Sequence, residues 1–205
     1  MQLKMKWLIS ACFVFALSFA QAQNEFESAL FGGLSVSQIS GDGWGGWHKF
    51  GLNGGAFVEA PIIQKRNTLS LNIALQYIQK GSHNKLDTLT NNSLAYQLNY
   101  LEVPVNIVWK LRNFDLGIGP YYGVLVRQHY KANGVKFDIT PPYLKRDVGL
   151  AAQVKFNWND NWFIEVRAST SVLPARYSNN FANKWSLYER GNYNQVLQFN
   201  IGRRF

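Results

Sequence analysis

The stretch NTLSLNIALQYIQKG, Asn67–Gly81, sets Leu69, Leu71, Ile73, Leu75 and Tyr77 on one parity and Ser70, Asn72, Ala74 and Gln76 on the other. Period-two alternation of this kind belongs to a strand with one apolar and one polar face. Strands of water-soluble domains usually run about 5–6 residues. Here the alternation lasts about nine residues, close to the roughly 9–11 that a tilted strand needs to cross the hydrocarbon core of a bilayer. The length points to lipid.

The same pattern recurs on both sides. Leu30, Gly32, Leu34 and Val36 form one apolar row, and Phe50, Leu52, Gly54, Ala56 and Val58 the next. After the quoted stretch come Leu101–Trp109, Leu116–Val126, Val148–Trp158, Trp162–Ala168 and Tyr193–Phe205, each with alternate residues polar or small. Eight strands result, an even number. Short connections (Pro61–Asn67, Lys110–Asn113, Asn159–Asn161) alternate with longer ones rich in Gly, Asn and charge (Ile39–Lys49, Gly81–Ser93, Gln128–Tyr143, Pro174–Asn192). Short turns on one side and long loops on the other describe an outer-membrane barrel. Backbone groups in lipid must be satisfied within the sheet, so the sheet is expected to close on itself.

The first residues read differently. Lys4 and Lys6 precede the apolar run LISACFVFALSFA, and Ala20-Gln21-Ala22 places small residues at a cleavage spacing. That is the arrangement of a secretory signal peptide, expected over 1–22, with a barrel domain over 23–205. The only cysteine, Cys12, would leave with the leader. The mature chain would then have neither disulfides nor a thiolate metal site. Net charge is +9 for the whole chain and falls by two without Lys4 and Lys6. In an exported, aromatic-rich chain, anionic headgroups are a more natural counterpart to this charge than nucleic acid.

A soluble exported barrel would carry its apolar rows inward. Two features argue against it. The polar rows bear both signs of charge, and we expect Glu59, Glu102, Arg127, Lys155, Glu165 and Arg167 to pair across a lumen, because buried charge without a partner is costly. Aromatics also gather at strand ends: Trp109, Trp158, Trp162 and Phe205 would form a periplasmic girdle.

With these segments in view, FGGLSVSQISGDG, FGLNGGAFVEAPI, LSLNIALQYIQKGS, YLEVPVNIVWKL, DLGIGPYYGVLV and the terminal FNIGRRF resemble the PorT-type outer-membrane β-barrel family of Bacteroidetes. The YLEVP block at Tyr100–Pro104 and the aromatic Phe205 are the most specific parts. The resemblance implies the fold, an outer-membrane address in a Gram-negative bacterium, and an accessory role in protein secretion or envelope organisation. A C-terminal aromatic such as Phe205 also resembles the signal read by barrel-insertion machinery.

Chemistry leaves few traces. An eight-stranded barrel is just wide enough for its own side chains to fill, which disfavours a channel. His48, His83 and His129 fall near the outer ends, and a lipid-modifying enzyme is the catalytic alternative. Ser82-His83 adjacency does not supply a nucleophile with its base, since strand neighbours point to opposite faces. No catalytic, metal or cofactor residue is therefore assigned. The loop GDGWGGW offers Trp44 and Trp47, and the outer basic residues include Lys80, Lys145 and Arg146. These are expected to meet lipopolysaccharide, other outer-membrane lipid or an envelope protein. The expected role is a non-enzymatic scaffold or binding element.

Overall fold

The computed structural model describes residues 26–42, 46–63, 68–86, 92–132, 135–138, 142–177 and 191–205. The expected leader, Trp44 and most of the longest loop lie outside these residues. Ten strands follow in order: β1 (Glu27–Ser40), β2 (Lys49–Ile63), β3 (Thr68–Leu86), β4 (Asn92–Leu111), β5 (Phe114–Ala132), β6 (Val135–Phe137), β7 (Arg146–Asn157), β8 (Trp162–Ser171), β9 (Arg176–Tyr177) and β10 (Gly191–Arg204).

Eight of them make one closed antiparallel barrel in the order β1-β2-β3-β4-β5-β7-β8-β10, and β10 pairs back onto β1. The short β6 and β9 are additions that pair with β5 and β10 above the barrel wall. Alternation decides which face is which. Leu34, Leu52, Leu75, Ile107, Ile118, Val154 and Ile201 are exposed on the outside, while Asn53, Glu59, Asn72, Gln76, Glu102, Asn106, Gln153 and Arg167 are buried inside. This is a soluble protein turned inside out, as a lipid-facing barrel requires.

The inward face also has apolar patches. Ala29, Phe31, Phe57, Ala74 and Phe163 cluster in the periplasmic half of the lumen. Gly202 makes room for Phe163: a Cβ there would lie 2.1 Å from the ring. In the outer half the polar lining is interspersed with Ile39, Ile78, Leu98, Tyr100 and Val196, joined by Tyr143 and Ala175 from the segments that flank β7 and β9. In the outer half of the barrel, then, apolar side chains share the interior with the polar ones and enclose a water-excluding core.

Strand length carries part of this core beyond the membrane. β3 and β4 run 19 and 20 residues. At ~3.3 Å per residue and a tilt of ~40°, each rises roughly 50 Å, about twice the ~25 Å apolar band of such barrels. The surplus projects outward. Within it, β4 and β5 carry a bulge: Tyr100 pairs with Leu125 and Asn99 with Arg127, leaving Val126 as the extra residue. A bulge resets the alternation. Leu125 packs inward against the outer core, and Arg127 emerges exposed. The expected place of Arg127 in the lumen is therefore corrected.

Candidate functional site

The lumen is built from charges that meet in three tiers. In the outermost, Lys80 is fully buried and bridges Glu102 and Asp147, the latter at 3.0 Å. Its ammonium also lies 4.6 Å from the centre of the Tyr121 ring. Asp147 accepts further hydrogen bonds from Ser171 Oγ at 2.6 Å and Asn194 Nδ2 at 2.9 Å. Gly149 admits Tyr121, whose ring would stand 2.5 Å from any added Cβ. In the middle tier, Arg167 pairs with Glu165 at 3.1 Å and donates to Gln76 Oε1 at 3.1 Å. Gln76 in turn donates to Glu102, and Asn200 to Glu165.

The periplasmic tier centres on Glu59, which meets Lys110 at 2.9 Å and Lys155 at 3.4 Å and accepts from Asn72. Lys155 lies 4.0 Å from the Phe57 ring centre, so an apolar patch and an ionic one share the same space. Below it, Glu27 joins Lys110 and Arg204, and Arg204 bonds Asp115 at 2.9 Å. These residues floor a periplasmic bowl of about 570 Å³ that Arg112 and Asp160 also line. None of Lys80, Glu102, Asp147, Lys155, Glu59, Arg167 or Glu165 is more than 1% exposed. A continuous water path would wet them.

The residues singled out in the sequence fall into place as follows. Glu59, Glu102, Lys155, Glu165 and Arg167 all lie in the lumen, where Glu59 meets Lys155 and Glu165 meets Arg167. Glu102 takes Lys80 as its partner. Lys80 is no loop residue, as the sequence led us to expect, because β3 continues to Leu86 and keeps its parity. Trp109, Trp158, Trp162 and Phe205 stand exposed at the end with the tight turns, Trp158 at 72%. There Trp158 N–H donates to the Trp162 carbonyl and Phe205 N–H to that of Ser28. Trp47, Lys145 and Arg146 are exposed at the opposite end.

His48, His83 and His129 sit on three separate elements, the β1–β2 connection, β3 and β5. Ser82 is buried while His83 is half-buried. Among the described residues no group of three His, Cys, Asp or Glu is placed to hold a metal.

The sequence alone did not show the outer face of the β5–β6 extension. Arg127, His129 and Lys131 share one face of β5, and Lys136 of β6 lies opposite Lys131. Tyr130 turns the other way, stacking on Tyr96 and Phe137. Partial burial, then Arg127, Lys136 and Lys131, hold the His129 imidazole below its usual protonation range, with Asp138 acting against them. Arg146 pairs with Val124 of β5 just below this face.

Comparison with known proteins agrees with the geometry. In overall fold the chain is similar to the neisserial surface protein NspA (10% identity, 88% of this chain and 97% of that one, TM-score 0.53). It is also similar to the attachment invasion locus protein Ail of Yersinia pestis, solved with the heparin analogue sucrose octasulfate (14% identity, 88% and 99%, TM-score 0.48). A third likeness is to OprG of Pseudomonas aeruginosa (13% identity, 88% and 96%, TM-score 0.40). At such identities the likeness concerns the fold alone. No curated protein matches the sequence. The model of the outer membrane protein beta-barrel domain matches residues 19–175, most of the chain, and the protein belongs to that family.

Proposed function

We propose that this protein is a non-conducting outer-membrane anchor whose projecting outer face binds anionic lipopolysaccharide. The observation that carries the reading is the column Arg127, His129 and Lys131, which the bulge at Val126 turns away from the lumen, with Lys136 of β6 opposite Lys131. Arg146 and Lys145 extend the positive charge downward. Guanidinium and ammonium groups in such a row match phosphate and carboxylate groups. The filled lumen supports an anchor over a channel, and the scattered histidines support a binder over a lipid-modifying enzyme.

The test combines two measurements on the purified chain. In planar bilayers the wild type should show no conductance steps. Binding of lipopolysaccharide vesicles should weaken as salt rises, and the variant R127E/K131E/K136E should bind about tenfold more weakly, as one or two lost charge-assisted contacts imply. Equal binding by that variant, or salt-insensitive binding, would sink the reading.

A further inference from the structure

The lipid-facing wall is largely apolar. Among the described residues a polar row on β8, β10 and β1 is an exception, as is Gln79 of β3 nearer the outer edge. Thr170 pairs with Gln195, and Gln195 with Gln38, so three polar residues stand side by side on the outward face. Gln38 Nε2 donates to Gln195 Oε1, which leaves each amide with a donor or acceptor that the pair does not use. Thr170 Oγ1 is buried and has no hydrogen-bond partner.

Their height makes the exception informative. From Trp162, in the periplasmic aromatic ring, Thr170 lies eight residues up β8. At ~3.3 Å per residue and ~40° tilt that is roughly 20 Å, inside an apolar band of ~25 Å. Polar groups at that depth need partners, because hydrocarbon offers none.

One rung below the polar row, Ala152 of β7 pairs with Ala168 of β8, between Ile118 and Leu197 on the flanking strands. Two small side chains among large ones leave a dent. It forms an apolar groove of about 400 Å³, lined by Leu150, Ile118, Ala152, Ala168 and Thr170 and bordered by Trp47. Above it on β7, Arg146 occupies the same outward row as Leu150 and Ala152, opposite Val124. Val124 lies ten residues up β5 from Phe114, which puts Arg146 roughly 25 Å up, at the outer boundary of the band.

Cation, polar row and apolar groove thus stack at the depths of phosphate, acyl linkage and hydrocarbon tail. We propose that this stack seats one acyl chain of a lipopolysaccharide molecule. The tail lies over Ala152 and Ala168, its ester or amide linkage bonds Thr170 and the Gln38–Gln195 pair, and its phosphate meets Arg146. The identity of the lipid rests on the reading of the basic outer face given above. The groove does not.

The full chain, extracted from its native membrane in mild detergent, provides the test. Lipopolysaccharide retained per barrel is measured by mass spectrometry for the wild type, for A152F/A168F, for K145E/R146E and for V103F, which adds bulk to an exposed position on β4. Filling the groove should lower retention by about tenfold, as loss of two or so methylene contacts implies, while V103F retains the wild-type amount. Folding of each variant is checked by heat-modifiable gel mobility. Replacing only the polar row, in Q38L/Q195L/T170V, gives a second route that leaves the groove open, and it should also lower retention.

Unchanged retention in both groove and polar-row variants overturns the proposal, as does a dimer of this chain that A152F/A168F dissolves without any loss of lipid. Retention lost in K145E/R146E but kept in A152F/A168F overturns the groove and leaves the basic face standing. The reverse pattern upholds the groove and removes the role of the outer cations.

Discussion

Lys80 is the residue on which the outer half of the lumen turns. Its ammonium is the only cation placed between Glu102 and Asp147 in the described ion pairs, and all three side chains are sealed from water. Removing one member of such a group strands the others, at a cost of about 3–5 kcal/mol. K80M should therefore lower stability by that amount, read from urea unfolding in lipid vesicles. Adding D147N, which removes one of the two orphaned charges, should recover part of the loss. If K80M alone matches the wild type, the pairing has been misread. The sequence hid this role for a simple reason: its clear alternation ends near Tyr77, and the count of polar and apolar residues does not say that β3 runs on to Leu86.

Among the elements, the transmembrane faces were legible and the outer extension was not. Leu69, Leu71, Ile73 and Leu75 advertise their face because lipid enforces it at every second position. Leu75 lies six residues above Leu69, which pairs with Trp109 of the periplasmic ring, and so sits near mid-bilayer. Leu75→Arg should cost about 2–4 kcal/mol in vesicle refolding, whereas a value near zero would place that face in water. Higher up, Ile78 and Leu98 point inward and Arg127 outward. A single extra residue, Val126, accounts for the inversion at Arg127. Bulges leave no compositional mark, so a parity count carried through Val126 gives Arg127 the wrong side.

For the molecule as a whole, the eight-stranded closure and the polar interior were readable from strand number and sign of charge. The partners of Glu102 and Asp147, and the alignment of Thr170, Gln195 and Gln38, depend on register between strands distant in sequence. A basic column made by the fold also has a pH dependence. Burial and the neighbouring Arg127, Lys131 and Lys136 keep His129 neutral near pH 7, with Asp138 the one opposing charge. As pH falls below 6.5, the imidazole's ordinary midpoint, His129 gains a proton and the column a further cation. Lipopolysaccharide binding should therefore tighten on acidification in the wild type. The gain should vanish in H129Q, as titration of vesicle binding between pH 7.5 and 5 would show. An identical pH profile in H129Q would remove His129 from the interaction.

The length of β3 and β4 means that one continuous strand serves two solvents, lipid below and water above. Up to Tyr77 and Leu101 the outward side chains meet lipid, while beyond Lys80 and Leu98 the strands rise into water. The two storeys answer to different agents. A chaotrope weakens apolar burial in water and so loosens the upper one first, while a change of acyl-chain length or detergent acts on the lower. The exterior crown and the membrane ring beneath it are thus expected to yield to different conditions.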